Sequence, residues 1–107
     1  MESKPVAKHI VLSKFKHDIT PRRITYIIKG FDNLVNLIEH MKYFEWGEDV
    51  NVENLQEGFT NSFESNFDSP KGRDAYLTYH THPEFGKELL PTLEKILVID
   101  YKQSHII

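Results

Sequence analysis

The chain contains no cysteine. That excludes a disulfide frame, a thiol nucleophile and thiolate metal sites, and it is compatible with a reducing compartment. Excess basic charge is also missing: thirteen Lys and Arg stand against sixteen Asp and Glu, a net charge of −3. A phosphate backbone needs a basic face, so no nucleic-acid partner is expected. No apolar run approaches the roughly 20 residues of a membrane span. Met1-Glu2-Ser3-Lys4-Pro5 lacks the apolar stretch of a signal peptide. A soluble, cytoplasmic protein without a membrane partner is the expectation. There is no Gly-rich phosphate loop, nucleophile elbow, zinc-protease motif or internal repeat. At 107 residues the chain suggests one domain.

What is present is hydrophobic periodicity. Residues 1–7 read as a loose arm, residues 8–102 as one domain and residues 103–107 as a tail. Lys8 to Phe15 is β-branched and alternating, which predicts a strand with His9, Val11, Ser13 and Phe15 on one face. Thr20-Pro21 is an N-cap followed by a first-turn proline. Apolar residues then recur at Ile24, Ile27, Ile28, Phe31, Leu34, Val35 and Ile38, the spacing of an amphipathic helix. Gly30 and Asp32-Asn33 are positions where that helix could bend or break. Tyr43 to Val50 is a weaker strand, Asn51 to Gly58 a loop, and Phe59 to Phe67 a clearly alternating strand.

Ser69-Pro70 repeats the helix-start signature and predicts a helix to about Tyr79. Pro83 disfavours helical angles at His82, which predicts a new helix beginning at Pro83. Phe85, Leu89 and Leu93 form its core face, and Pro91 should end or kink it. Lys95 to Tyr101 is a strand whose Ile96-Leu97-Val98-Ile99 is apolar on both faces. The order strand, helix, strand, strand, helix, strand is that of an α+β, ferredoxin-like βαββαβ protomer, with helices on one face of a four-stranded antiparallel sheet. A sheet apolar on both faces needs cover on both, and a second copy supplies it as a homodimer.

Tyr76, Tyr79, His80 and His82 fall within seven positions at a joint between helices, the densest group of titratable rings in the chain. A neutral imidazole takes or gives a proton near neutral pH, and beside a phenol it can act as a base while the phenol polarises a carbonyl. The plain alternative is packing: a buried tyrosine anchoring its hydroxyl, and His82 as a helix-end histidine. His9 taken alone reads as a hydrogen-bonded strand-end residue. His80 and His82 have His-x-His spacing, but no third ligand stands at useful spacing, so no metal is expected. The acidic Glu45, Glu48 and Asp49 read as a solvated strand end. Phe59, Phe63 and Phe67 have the spacing of an aromatic RNA-binding strand, but acidic rather than basic residues accompany them.

Several short passages keep one mutual register: Lys8-His9 before an apolar strand, Asn33-Leu34-Val35-Asn36, Met41-Lys42, Trp46-Gly47, Gly58-Phe59-Thr60, Phe63-Glu64-Ser65 and Leu97-Val98-Ile99-Asp100-Tyr101. Together they resemble the plant stress-responsive α/β-barrel (Dabb) domain family over nearly the whole chain. The resemblance implies a ferredoxin-like protomer and a dimer whose sheets pack into a central barrel. The family includes heat-stable stress proteins and a small, cofactor-free polyketide cyclase. For the cyclase, the resemblance implies aldol closure of a linear poly-β-keto thioester, supplied by a type III polyketide synthase, with His82 as base and Tyr76 as its catalytic partner. It also implies a pocket lined by His9, Val11, Ile27, Ile28, Phe31, Asn61, Phe63, Leu77, Phe85, Leu93, Ile96 and Val98. Phe31 replaces a pocket tyrosine of the cyclase, Asn61 replaces a pocket histidine, and Tyr79-His80-Thr81-His82 with Pro83 replaces the usual His-Pro-x-His. Two readings follow: a lyase-type cyclase, or a non-catalytic stress-responsive dimer.

Overall fold

The computed structural model describes residues 6–104. Four strands and three helices follow the predicted order, the last helical segment being split in two. They are β1 (Ala7–Phe15), α1 (Pro21–Leu37), β2 (Met41–Glu48), β3 (Asn61–Phe67), α2 (Pro70–Thr78), α3 (Thr81–Leu89), a 3-10 turn (Leu90–Thr92) and β4 (Leu93–Lys102). The sheet order is β2-β3-β1-β4 and every pairing is antiparallel, the ferredoxin-like arrangement. Ala7 belongs to β1, where it is buried and faces Phe67 and Lys102. Gln103 donates its N–H to the Val6 carbonyl at 2.8 Å. The arm expected over 1–7 and the tail expected over 103–107 are therefore shorter at their inner ends; residues 1–5 and 105–107 lie outside the described residues.

Local signals account for the helix starts. The Thr20 hydroxyl accepts the Arg23 N–H at 3.1 Å, and Pro21 occupies a first-turn position that needs no N–H. Ser69 repeats this on α2, accepting the Gly72 N–H at 3.0 Å before Pro70. The break anticipated within α1 does not occur; the helix runs unbroken for 17 residues. Asn36 donates to the Asn33 side chain at 3.2 Å, so these amides bond each other in solvent rather than competing for the backbone. Gly30 is there for closeness: a Cβ at that position would stand 3.0 Å from Cε1 of Phe85.

The start of α3 corrects the sequence expectation. The helix begins at Thr81, not Pro83, so His82 lies within its first turn. A proline in a first turn sacrifices no intrahelical N–H, and its ring meets only the carbonyl of the residue four before it. That residue is Tyr79, which is extended (φ −69°, ψ 132°) and outside the helix. The clash that would exclude Pro83 deeper in a helix is absent.

β1 alternates as predicted: Ala7, His9, Val11, Ser13 and Phe15 are buried beneath the helices. Phe31 holds the core together, stacked on Phe44 (4.7 Å between centroids) and Phe63 (5.3 Å), with Phe85 at its edge (5.1 Å). On the opposite face Ile10 pairs with Ile99 and Leu12 with Leu97. Among the described residues nothing covers β4 fully: Ile96, Leu97, Val98 and Ile99 are each 43–46% exposed.

Gly72 gives a direct test of helix seating. A Cβ there would stand 2.3 Å from an Asp68 carboxylate oxygen and 2.9 Å from Cβ of His40. Helix propensity alone favours Ala over Gly by about 1 kcal/mol, but overpacking costs about 1–3 kcal/mol. Gly72→Ala is expected to lower the melting temperature by several degrees in a thermal scan; an unchanged or raised value would show that α2 can shift freely.

Candidate functional site

The site is a cavity of about 260 Å3 between β1 and β4 below and α2 and α3 above. β1 contributes His9 and Val11, α1 contributes Phe31, and α2 contributes Tyr76 and Leu77. His82, Phe85, Gly86 and Leu89 come from α3, Leu90 from the 3-10 turn, and Ile96, Val98 and Asp100 from β4. Two larger clefts, of about 430 and 440 Å3, have no histidine or tyrosine in their walls. Size therefore does not mark the chemistry; the titratable rings do.

Tyr76 and His82 meet at 4.3 Å between ring centroids. The Tyr76 ring is almost fully buried, packed on Phe67 (4.7 Å) and against the edge of His9 (5.6 Å). Burial pushes the phenol well above its usual pKa, and the nearby Asp100 charge adds to this, so the group stays protonated as a donor. Its hydroxyl finds no hydrogen-bond partner among the described residues, and it is not among the buried polar atoms sealed from solvent. A tyrosine kept for packing alone usually anchors its hydroxyl; this one, at the cavity wall, has no partner among the described residues.

His82 is half-buried, and burial pushes its pKa below the usual histidine value. A long hydrogen bond from Nδ1 to the Leu77 carbonyl, 3.4 Å, acts in the opposite sense, and the neighbouring His9 lowers the value further. With Nδ1 assigned as the donor, Nε2 carries the lone pair. His82 is thus a neutral base at neutral pH.

His9 is oriented from behind. Its Nδ1 lies 2.6 Å from Oδ1 of Asp100, its register partner across β1 and β4. Arg73 reaches the same oxygen at 3.1 Å and also holds Asp74 at 2.7 Å. The carboxylate fixes the imidazole and the guanidinium fixes the carboxylate, an Arg–Asp–His chain running from the surface to the cavity.

The structure brings together most of the expected site. Tyr76 and His82 are joined by His9, Val11, Phe31, Leu77, Phe85, Ile96 and Val98. The others lie elsewhere. Ile27 and Phe63 are fully buried in the core and Leu93 is buried near the start of β4. Ile28 and Asn61 face a separate cleft beside Trp46. Asp100, Gly86, Leu89 and Leu90 were not anticipated. Asp100 had a legible signal, since it continues the Ile96, Val98 alternation and stands at the end of the strand that pairs with His9. Tyr79 is exposed and packs at a tilt against His80, 4.7 Å between centroids, and does not line the cavity. No group of three or more His, Asp or Glu able to hold a metal occurs among the described residues. No helix among them is long and apolar enough to cross a membrane.

Comparison with known proteins places this geometry. The model of the stress-responsive A/B barrel (Dabb) domain matches residues 7–103. The chain is 47% identical over 105 residues to the stress-response A/B barrel domain-containing protein HS1 of Arabidopsis thaliana, covering 98% of this chain and 96% of that protein. It is 37% identical over 94 residues to olivetolic acid cyclase of Cannabis sativa, covering 88% and 93% respectively. The structure of a hydroxynitrile lyase from Passiflora edulis superposes with a TM-score of 0.90 at 33% identity, covering 95% of this chain and 96% of that one. At the level of fold alone, a dimeric ferredoxin-like protein from Thermobifida fusca superposes with a TM-score of 0.76 at 18% identity, covering 94% and 92%. With a ferredoxin-like sheet, a match spanning almost its whole length and relatives of like size, the chain belongs to the stress-responsive A/B barrel (Dabb) domain family.

Proposed function

We propose that the protein is a cofactor-independent acid–base catalyst of the polyketide-cyclase type, acting as a cytoplasmic homodimer on a linear poly-β-keto thioester. The observation that carries this is the Tyr76–His82 contact at 4.3 Å in an otherwise mostly apolar cavity, with the phenol unpartnered among the described residues. A carbon between two carbonyls is acidic enough for a neutral imidazole to deprotonate when the enolate is stabilised. Nε2 of His82 takes that proton, and the Tyr76 hydroxyl donates to the carbonyl oxygen on which charge collects. The carbanion then attacks a more distant carbonyl carbon of the same chain, forming the C–C bond, and the resulting alkoxide takes up a proton. No redox equivalent or metal is needed for this balance. A type III polyketide synthase is the class of enzyme that supplies such a substrate.

Support for the homodimer comes from the half-exposed Leu97 and Ile99 of β4, which share the open sheet face with Ile10 and Leu12. Dimeric proteins share the fold. The second reading, a non-catalytic stress-responsive dimer, is favoured by the 47% identity to HS1 against 37% to the cyclase.

Three outcomes test this reading and the geometry behind it. Added to a polyketide synthase reaction, the protein is expected to shift products toward a ring-closed aldol product. Tyr76→Phe and His82→Ala should each lower that rate at least about 100-fold, with Tyr76→Phe leaving stability within about 0.5 kcal/mol because no described hydrogen bond is lost. Identical product spectra with and without protein would sink the catalytic reading for this substrate class.

The second outcome concerns pH. Because the folded-state pKa of His82 is depressed, the base stays neutral below the ordinary value of 6.5. The acid limb of kcat/KM should therefore fall with a midpoint below 6.5. Stability at this residue changes with the same sign: the unfolded chain binds the proton more readily, so stability is lost as pH falls from 6.5 through the folded pKa. An NMR titration of the His82 ring with a midpoint above 6.5 would contradict both statements.

The third concerns His9. Asp100→Ala removes a short bond to a buried ring and should cost about 1.5–3 kcal/mol in denaturant unfolding. Nitrogen shifts of His9 should report Nδ1–H in the parent and a mixed tautomer in the variant; unchanged shifts would mean that the carboxylate does not orient the ring.

A further inference from the structure

One buried titratable ring in the cavity takes no part in the proton transfers of Tyr76 and His82. His9 is 5% exposed and lines the cavity beside Tyr76, the two rings meeting edge-on at 5.6 Å. Its Nδ1 is bound to Asp100 at 2.6 Å. With Nδ1 assigned as the donor to the carboxylate, Nε2 carries the lone pair. Nε2 has no hydrogen-bond partner among the described residues, and it is not among the buried polar atoms sealed from solvent. An acceptor therefore stands open on the cavity, next to the phenol donor.

What holds that acceptor in place reaches in from α2. The Asp100 side chain is about a quarter exposed and borders a recess of about 130 Å3 on its far side from the cavity. Water in that recess competes with His9 for the carboxylate. Arg73 opposes this. Its Nη1 lies 3.1 Å from the Asp100 oxygen that His9 uses, while Nε and Nη2 hold Asp74 at 3.0 and 2.7 Å. The guanidinium is planar, so two bonds to Asp74 fix the direction of the third group. A lysine would supply a point charge without that bracket. Among the described residues Arg73–Asp100 is the one ion pair between α2 and β4. Arg73 stands three positions before Tyr76 on α2, a spacing that shares one helix face, so the same helix carries the phenol donor and the bracket for the acceptor. Arg73 itself does not line the cavity.

We infer that Arg73 is a positioning residue: through Asp100 it holds His9 with Nε2 open to the cavity, as an acceptor that selects a ligand bearing an enol or hydroxyl beside its carbonyl. A β-dicarbonyl exists partly as its enol, which sets a hydroxyl beside a carbonyl. The enol donates to His9 and the carbonyl accepts from Tyr76. In a longer poly-β-keto chain that same carbonyl flanks the next CH2, the carbon that His82 deprotonates. The ligand class rests on the acid–base reading of Tyr76 and His82; the positioning is tested without turnover.

Two measurements do so: nitrogen shifts of the His9 ring, and calorimetric binding of small diketones. Arg73→Gln should turn the Nδ1–H signature of the parent into a mixed tautomer, and Arg73→Lys, which keeps the charge and loses the fork, should give an intermediate mixture. In a double-mutant cycle Arg73→Gln should add nothing to Asp100→Ala, because it acts through that carboxylate. Acetylacetone, which enolises, should bind the parent about fivefold tighter than its analogue dimethylated at the central carbon, which does not; one neutral hydrogen bond supplies that factor. The preference should persist in His82→Ala and disappear in Arg73→Gln, with melting temperatures recorded to show that each variant is folded. Shifts unchanged in either Arg73 variant, an effect that adds to that of Asp100→Ala, equal affinity for the two diketones in the parent, or a preference that survives Arg73→Gln would each overturn the inference. The tautomer signature and the enol preference in a protein that turns over no polyketide would sink the cyclase reading and leave the role of Arg73 standing.

Discussion

The stack of Phe44, Phe31 and Phe63, capped by Phe85, is the contact on which the other positions depend. It ties four elements at one point: α1 through Phe31, β2 through Phe44, β3 through Phe63 and α3 through Phe85. Fixing α3 against α1 sets the height of His82 above the sheet, and Phe31 itself becomes a wall of the cavity. The same atoms therefore pack the core and shape the cavity. Interiors packed at crystal density do not deform continuously, so the cavity inherits its shape from the core.

Around that apolar frame the polar groups run outward from the cavity. His9 is buried, Asp100 and Arg73 are about a quarter exposed at their side chains, and Asp74 reaches solvent. A lone carboxylate against a buried imidazole would be costly to desolvate; the guanidinium offsets that cost where water is still present. Tyr76 and His82 are treated oppositely. Neither has an ion-pair partner among the described residues, and burial pushes both toward their neutral forms, phenol above and imidazole below their ordinary ranges. Two neutral groups, one donor and one acceptor, are what proton transfer near neutral pH requires.

The element order was legible because the signals were local. The β1 alternation and the Thr20-Pro21 and Ser69-Pro70 starts each depend on only a few neighbouring residues. Gly30 was misleading because its reason is Phe85, fifty-five positions away in the chain and in contact only after folding. His82 was placed before rather than within α3 because the proline rule concerns the carbonyl four residues back, and the conformation of Tyr79 is not written in Pro83. The family resemblance pointed to Tyr76 and His82 and to seven of the other residues that line their cavity. It could not register that Phe31, in place of a tyrosine, would stack into Phe63, or that Asn61 and Ile28 would line a separate cleft.

The extended residue at Tyr79 carries a geometric consequence. Tyr76 and His82 are six positions apart in the chain. In one continuous helix, at about 100° per residue, they would project roughly 120° from each other and stand about 9 Å apart along the axis. No rotamer would bring the two rings face to face across that separation. The Thr78 hydroxyl bonds the Ala75 carbonyl at 3.2 Å, α2 ends, and the backbone turns before Thr81 restarts it. The pair is a product of where a helix stops, and the length of this two-residue hinge sets the phase between the two rings as firmly as their identities do.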